Sequence, residues 1–97
     1  MIVVTADQWI IPGKRPELIQ AHTDSESVLK AQPGFVSARL LHFAGGPYRY
    51  LHETTWENRE SWEAFWTNPA FADYRASIDK WLSAPFVLAI YDVKWEA

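Results

Sequence analysis

Two stretches of this chain are apolar on both of their alternating faces, and that limits what it can fold into. In Ile2–Ile11 one alternating set is Val3, Thr5, Asp7, Trp9 and Ile11; the other is Ile2, Val4, Ala6, Gln8 and Ile10. Residues two apart share a strand face, so this run predicts a strand covered on both sides. Phe86–Trp95 reads the same way. Helices can cover one side of such a sheet. The other side needs a second layer.

Turn residues divide what lies between. Pro12-Gly13 ends the first strand, and Pro16 suits the first position of a helix. That helix is expected to run to about Ala31, closed by Pro33-Gly34, with Leu18, Ala21, His22, Ser25, Val28 and Leu29 on its apolar face. Phe35–Phe43 and Tyr48–Trp56 are β-rich runs joined by Ala44-Gly45-Gly46-Pro47, the pattern of a hairpin. Asn58 is a suitable N-cap for a helix carrying Trp62, Phe65 and Trp66, with Glu60 and Glu63 near its positive end. Asn68-Pro69 interrupts this helix, which resumes through Phe71, Tyr74, Ile78, Trp81 and Leu82 until Ser83-Ala84-Pro85. The order β-α-β-β-α-β predicts one α+β domain over residues 1–97. It is the ferredoxin-like arrangement, a four-stranded antiparallel sheet with helices on one face. A second copy of the sheet is the economical cover for the other face, so a homodimer is expected, a dimeric α+β barrel.

Composition agrees. The chain is 48% apolar and 15% aromatic with six Trp, a large load for 97 residues, which points to an interface or a lined cavity. The net charge is −3 with no basic run, which argues against nucleic acid as a partner. No stretch approaches the apolar length of a membrane span. Met1 leads directly into IVVTA without a basic leader, so no signal peptide and a cytoplasmic location are expected. With no Cys, there is no disulfide, thiolate or iron–sulfur chemistry.

Motifs for phosphate cradles, nucleophile elbows and zinc sites are absent. The three His (His22, His42, His52) fall in different elements, so no local metal spacing exists and no metal site is expected. The third strand carries the most chemistry: Tyr48, Tyr50, His52, Thr54 and Trp56 share one face. They make an aromatic wall around one imidazole, the side chain that titrates near neutrality. Such a wall is either ordinary core or the lining of a ligand site. His22 is a polar group on the apolar helix face; it is either a hydrogen-bonded core histidine or a group projecting into a cavity. Asp7, in the doubly apolar strand, either pairs with a nearby donor or sits buried with a raised pKa. Arg75 either lays its stem over apolar surface or aims its charge at an anion.

The segments IVVTADQWIIPGKRPELIQAH, QPGFVSARLL and LHETTWENRESWEAF together resemble antibiotic biosynthesis monooxygenase domains. The likeness spans nearly the whole chain: strand then PGK, helix then PGF, a hairpin, and W-E-x-x-E-x-W entering a helix. Within that group the nearest functional likeness is to anthrone monooxygenases of aromatic polyketide pathways. These oxidise an anthrone to a quinone with molecular oxygen and need no flavin, haem or metal. The resemblance implies the same here: a small aromatic substrate, O2 and no cofactor. The family pattern has an Asn four residues before a strand Trp, a Tyr six residues after it, and an Arg in the last helix. Here Trp56 and Arg75 match, while His52 stands in the Asn position and Trp62 in the Tyr position. The resemblance therefore implies His52 as base or hydrogen-bond donor to a substrate enolate, Trp56 as a catalytic wall and Arg75 as anion stabiliser. Trp62, His22, Asp7, Tyr50, Trp66 and Tyr74 are the candidate substrate-binding residues. The haem-degrading branch fits less well, because Asp7 stands where that branch has Asn and no His follows His52. A cyclase or isomerase using the enolate without oxygen, and a barrel that only binds an aromatic ligand, remain the competing readings.

Overall fold

A computed structural model describes all residues, Met1–Ala97. The strands are β1 (Ile2–Trp9), β2 (Phe35–His42), β3 (Arg49–Trp56) and β4 (Val87–Asp92); the helices are α1 (Arg15–Asp24), α2 (Glu26–Lys30), α3 (Arg59–Trp66) and α4 (Pro69–Asp79). The strands form one four-stranded sheet in the order β2-β3-β1-β4. Every pairing is antiparallel, as the ferredoxin-like order requires.

Register decides which side chains face the helices. Val4 pairs with Thr54, Ala6 with His52 and Gln8 with Tyr50. All six are buried, and with Ile2 and Trp56 they form the floor on which the helices pack. The core is aromatic. Trp56 is fully buried, its ring 5.5 Å from Phe65 and 5.8 Å from Trp62. Phe71 packs edge-on against Phe65 with centroids 5.2 Å apart, which is the favoured offset geometry for such pairs.

The expected caps form. Asn58 Oδ1 accepts from the Ser61 N–H at 2.9 Å, and Asn68 Oδ1 accepts from the Ala70 N–H at 2.9 Å. The Asn68-Pro69 interruption is thus the start of a new helix, with Pro in its first turn.

Several boundaries differ from the sequence reading. β2 ends at His42, β4 begins at Val87, and β3 begins at Arg49, which leaves Tyr48 exposed outside the strand and off the shared face. The helix expected to run unbroken to Ala31 is split at Ser25. Ser25 is buried and its hydroxyl donates to the Ala21 carbonyl at 2.8 Å, a back-bond that bends a helix. β1 stops at Trp9, because beyond it the chain turns to the end of α4: Ile11 N–H donates to the Trp81 carbonyl at 2.9 Å. For the same reason α4 ends at Asp79, and Leu82 bridges to Ile10. β4 runs only to Asp92, which pairs with Ile2; past Val93 no β1 residue is left to pair with, and Trp95 is exposed.

The opposite face of the sheet carries Val3, Thr5, Asp7 and Trp9 from β1. Val3, Thr5 and Asp7 are half-buried, and Trp9 is exposed. Charges on this face are paired: Arg49 donates to Asp7 at 3.1 Å and Arg39 to Glu53 at 3.1 Å. The Arg49 guanidinium also lies 5.1 Å from the Trp9 ring and 5.2 Å from Phe43. Tyr91, Val87 and Phe43 are exposed. No helix of the chain is long and apolar enough to cross a membrane.

Candidate active site

β1 and β3 bring Gln8 and His52 onto the helix-facing side of the sheet, and α1 brings His22 down onto them. His22 Nε2 lies 3.1 Å from Gln8 Oε1; an amide oxygen only accepts, so His22 donates here from a protonated Nε2. The rings of His22 and His52 have centroids 4.4 Å apart at 45°. On its far side His52 Nδ1 meets the Tyr74 hydroxyl of α4 at 3.2 Å. Four side chains from four elements thus form one polar line, Gln8–His22–His52–Tyr74, through an aromatic core.

Burial sets the charge of this line. It pushes His22 down to about 4. Burial, with a smaller repulsion from His22, pushes His52 down to about 3. Both imidazoles are therefore neutral near pH 7, and two neighbouring cations would repel. Burial also raises Tyr74, so its phenol keeps its proton. A hydroxyl can donate or accept. When His52 Nδ1–H donates to the Tyr74 oxygen, Nε2 keeps a lone pair and is a base. When Tyr74 O–H donates to Nδ1, Nε2–H is a donor.

Two spaces adjoin His52. One is a cavity of about 20 Å³ lined by Gln8, His52, Thr54, Trp62, Tyr74 and Phe86 among others. That holds about one water and no aromatic ring. The other is an open groove of about 460 Å³ between α1, α2 and β2, with His22, His52, Leu29, Phe35 and Leu40 on its walls. Its size falls within the roughly 300–1,000 Å³ of small-molecule sites. The two spaces share His52 and Leu29. Glu26, Lys30 and Arg39 also border the groove, so its walls are mixed. A neutral base at the foot of such a groove can abstract a proton from a bound carbon acid, or hydrogen-bond to its oxygen.

The expected site residues fall into two groups. His52, His22 and Tyr74 are brought together, and Trp62 lines the small cavity beside them. Tyr50 lies two residues from His52 on β3, its ring stacked on His42 and its buried hydroxyl without a partner. The others lie apart from the groove. Trp56 is sealed in the core, its indole N–H donating to Thr54 Oγ1 at 2.8 Å. Trp66 is exposed and packs on Phe71 and Trp62. Asp7 points to the opposite face, where Arg49 takes it. Arg75 pairs with Asp79 at 3.2 Å and lies 5.0 Å from the Phe86 ring, so its charge is spent outside the groove.

Gln8 was not singled out by the sequence reading. Its signal is nonetheless present: it is the one polar member of the inward set Ile2, Val4, Ala6, Gln8, Ile10, and it is almost wholly buried. A buried amide needs a partner, and His22 is that partner.

The geometry is that of a base-bearing groove between a ferredoxin-like sheet and its helices. The family model for antibiotic biosynthesis monooxygenases matches residues 1–77, and the chain belongs to that family. A protein from Bordetella bronchiseptica named for the family superposes with a TM-score of 0.89 at 16% identity, covering 97% of each chain. Rv0793 from Mycobacterium tuberculosis superposes with a TM-score of 0.82 at 21% identity, covering 99% of this chain and 97% of its own. SnoaB, a cofactor-independent oxygenase from Streptomyces nogalater, superposes with a TM-score of 0.81 at 15% identity, covering 98% of this chain and 95% of its own. Likeness at these identities establishes the fold. No curated protein matches the sequence.

Proposed function

We propose that this protein is a cofactor-independent monooxygenase. It oxidises a polycyclic aromatic compound, anthrone- or hydroquinone-like, to a quinone with O2, in secondary metabolism. The observation that carries the reading is the neutral, buried His52, fixed by Tyr74 at the foot of a groove large enough for fused rings. Such a substrate is a carbon or phenol acid whose anion reacts with oxygen directly. The protein then has to bind it away from water and take its proton.

His52, desolvated by burial, is by itself a weak base. Binding changes that balance, because the enolate that forms is itself the counter-charge for the imidazolium. His52 is the base, Leu29, Phe35 and Leu40 hold the rings, and Tyr74 keeps the imidazole in place. Family membership and the shared fold with SnoaB support the oxygenase kind. The working unit is a homodimer, its open sheet faces covering Tyr91, Val87 and Phe43.

The test is oxygen uptake by metal-free protein given anthrones and hydroquinones with no added cofactor. Uptake above the uncatalysed rate is expected, and His52→Ala lowers it by about 10²-fold or more. Binding or rearrangement of these compounds without uptake would favour a cyclase or isomerase using the same base.

A further inference from the structure

The oxidation proposed above moves two protons, and the groove holds two imidazoles. An anthrone-type methylene plus O2 becomes a carbonyl plus water, so both C–H protons end on oxygen. First a C–H proton leaves and the resulting enolate gives an electron to O2. The radical and superoxide join in a C–O bond, and the peroxide anion takes a proton. Then the second C–H proton leaves. The C–H pair becomes the C=O bond, the O–O bond breaks, and the hydroxide released takes a proton to become water. Each round needs one group that accepts a proton from carbon and one that delivers it to oxygen.

We propose, resting on the oxygenase reading, that His22 is the second catalytic residue of this site: His52 takes each proton from carbon, and His22 delivers it to oxygen. The rings are 4.4 Å apart between centroids, and both line the groove. Each has a fixed partner on its outer side, Tyr74 for His52 and Gln8 for His22. The Gln8 oxygen holds His22 with its Nε2 protonated, which leaves Nδ1 to receive the proton in transit. The pair tolerates one positive charge and resists two. Of the two rings His52 is the more deeply buried, only 6% exposed, while His22 is half-buried at the groove side; a charge is better solvated on His22.

Gln8 is then a positioning residue. Without its oxygen, the His22 ring is free to turn and the tautomer that leaves Nδ1 unprotonated is no longer fixed.

The experiment separates the two half-reactions, with anthrone as the probe. Deuterium exchange at the methylene, followed by NMR without oxygen, reads proton removal from carbon. Quinone and peroxide yields in air read delivery to oxygen. In His22→Gln, quinone formation is expected to fall about tenfold or more beyond any fall in exchange, with peroxide released instead. Gln8→Leu is expected to shift the partition the same way, more weakly. Circular dichroism and the monomer–dimer mass confirm that each variant is folded. Equal losses of exchange and quinone in folded His22→Gln, or full quinone yield without peroxide, overturn the role of His22 while leaving the oxygenase reading intact. Wild-type protein that exchanges the methylene but consumes no oxygen overturns the oxygenase reading, and this proposal with it.

Discussion

The indole N–H of Trp56 donates to the hydroxyl of Thr54 at 2.8 Å, between two residues on the same face of β3, with both buried. The largest side chain of the core is thus satisfied by a neighbour on its own strand. Thr54→Val keeps the shape and removes the acceptor, leaving a buried N–H without a partner. Stability is expected to fall by about 1–3 kcal/mol, read as a lower urea midpoint at unchanged slope. Thr54→Ser should recover most of the loss. Equal stability of the Val variant would mean that the indole finds another partner.

Tyr74→Phe removes the hydroxyl that meets His52 Nδ1. The imidazole keeps its place in the core but loses its orientation. Turnover is expected to drop by roughly 10–100-fold with little change in KM, since misplacing a reacting group costs up to about 10²-fold. A KM change alone would make Tyr74 a wall of the groove.

The two histidines make the fold sensitive to acid. Their ordinary pKa is 6.5; in the folded chain His22 is held down to about 4 and His52 to about 3. Between those values and 6.5 the unfolded chain binds protons that the folded chain refuses, so stability is complete above pH 6.5 and is lost as pH falls toward 4 and below. Each imidazole contributes on the order of 3 kcal/mol to this loss. Urea midpoints should fall between pH 6.5 and 4, and His22→Gln should flatten the slope. Identical slopes in wild type and variant would show that the acid sensitivity lies elsewhere.

Gly34 has φ +80°, and a Cβ there would run into the side chain of Ser61 at the start of α3. Gly34→Ala meets both the left-handed backbone and that contact, so a loss of about 2 kcal/mol or more is expected in a thermal or urea melt. Gly13 has φ +84° but open space around it, so Gly13→Ala should cost only the backbone share, about 1–2 kcal/mol.

Much of this architecture can be read from residue order. Pro12-Gly13, Pro33-Gly34 and Asn68-Pro69 mark turns that the chain makes, and the period-two pattern of β3 places Tyr50, His52, Thr54 and Trp56 together. Periodicity cannot say which strand face meets the helices. That depends on register, and register put Gln8 beside the imidazoles and sent Asp7 to the other side. Ser25 is legible as a polar residue on an apolar helix face, but its back-bond to Ala21 is a choice of rotamer that no spacing encodes. Arg75 sits at the expected place in the chain, but Asp79 one turn on takes its charge, a contact that no motif spacing encodes.

Asp7 and Gln8 are adjacent on β1, yet one is paired with Arg49 on the open face and the other holds His22 beneath the helices. A single strand therefore serves two compartments with opposite requirements, a carboxylate where there is a cation and a neutral amide where there must be none. Deleting or inserting one residue upstream in β1 would exchange them. The carboxylate would then lie under His22 and draw it into the charged form, while Arg49 lost its partner. Length changes in this strand are thus barred for a reason separate from packing, and sequence drift along it is confined to substitutions that leave the count intact.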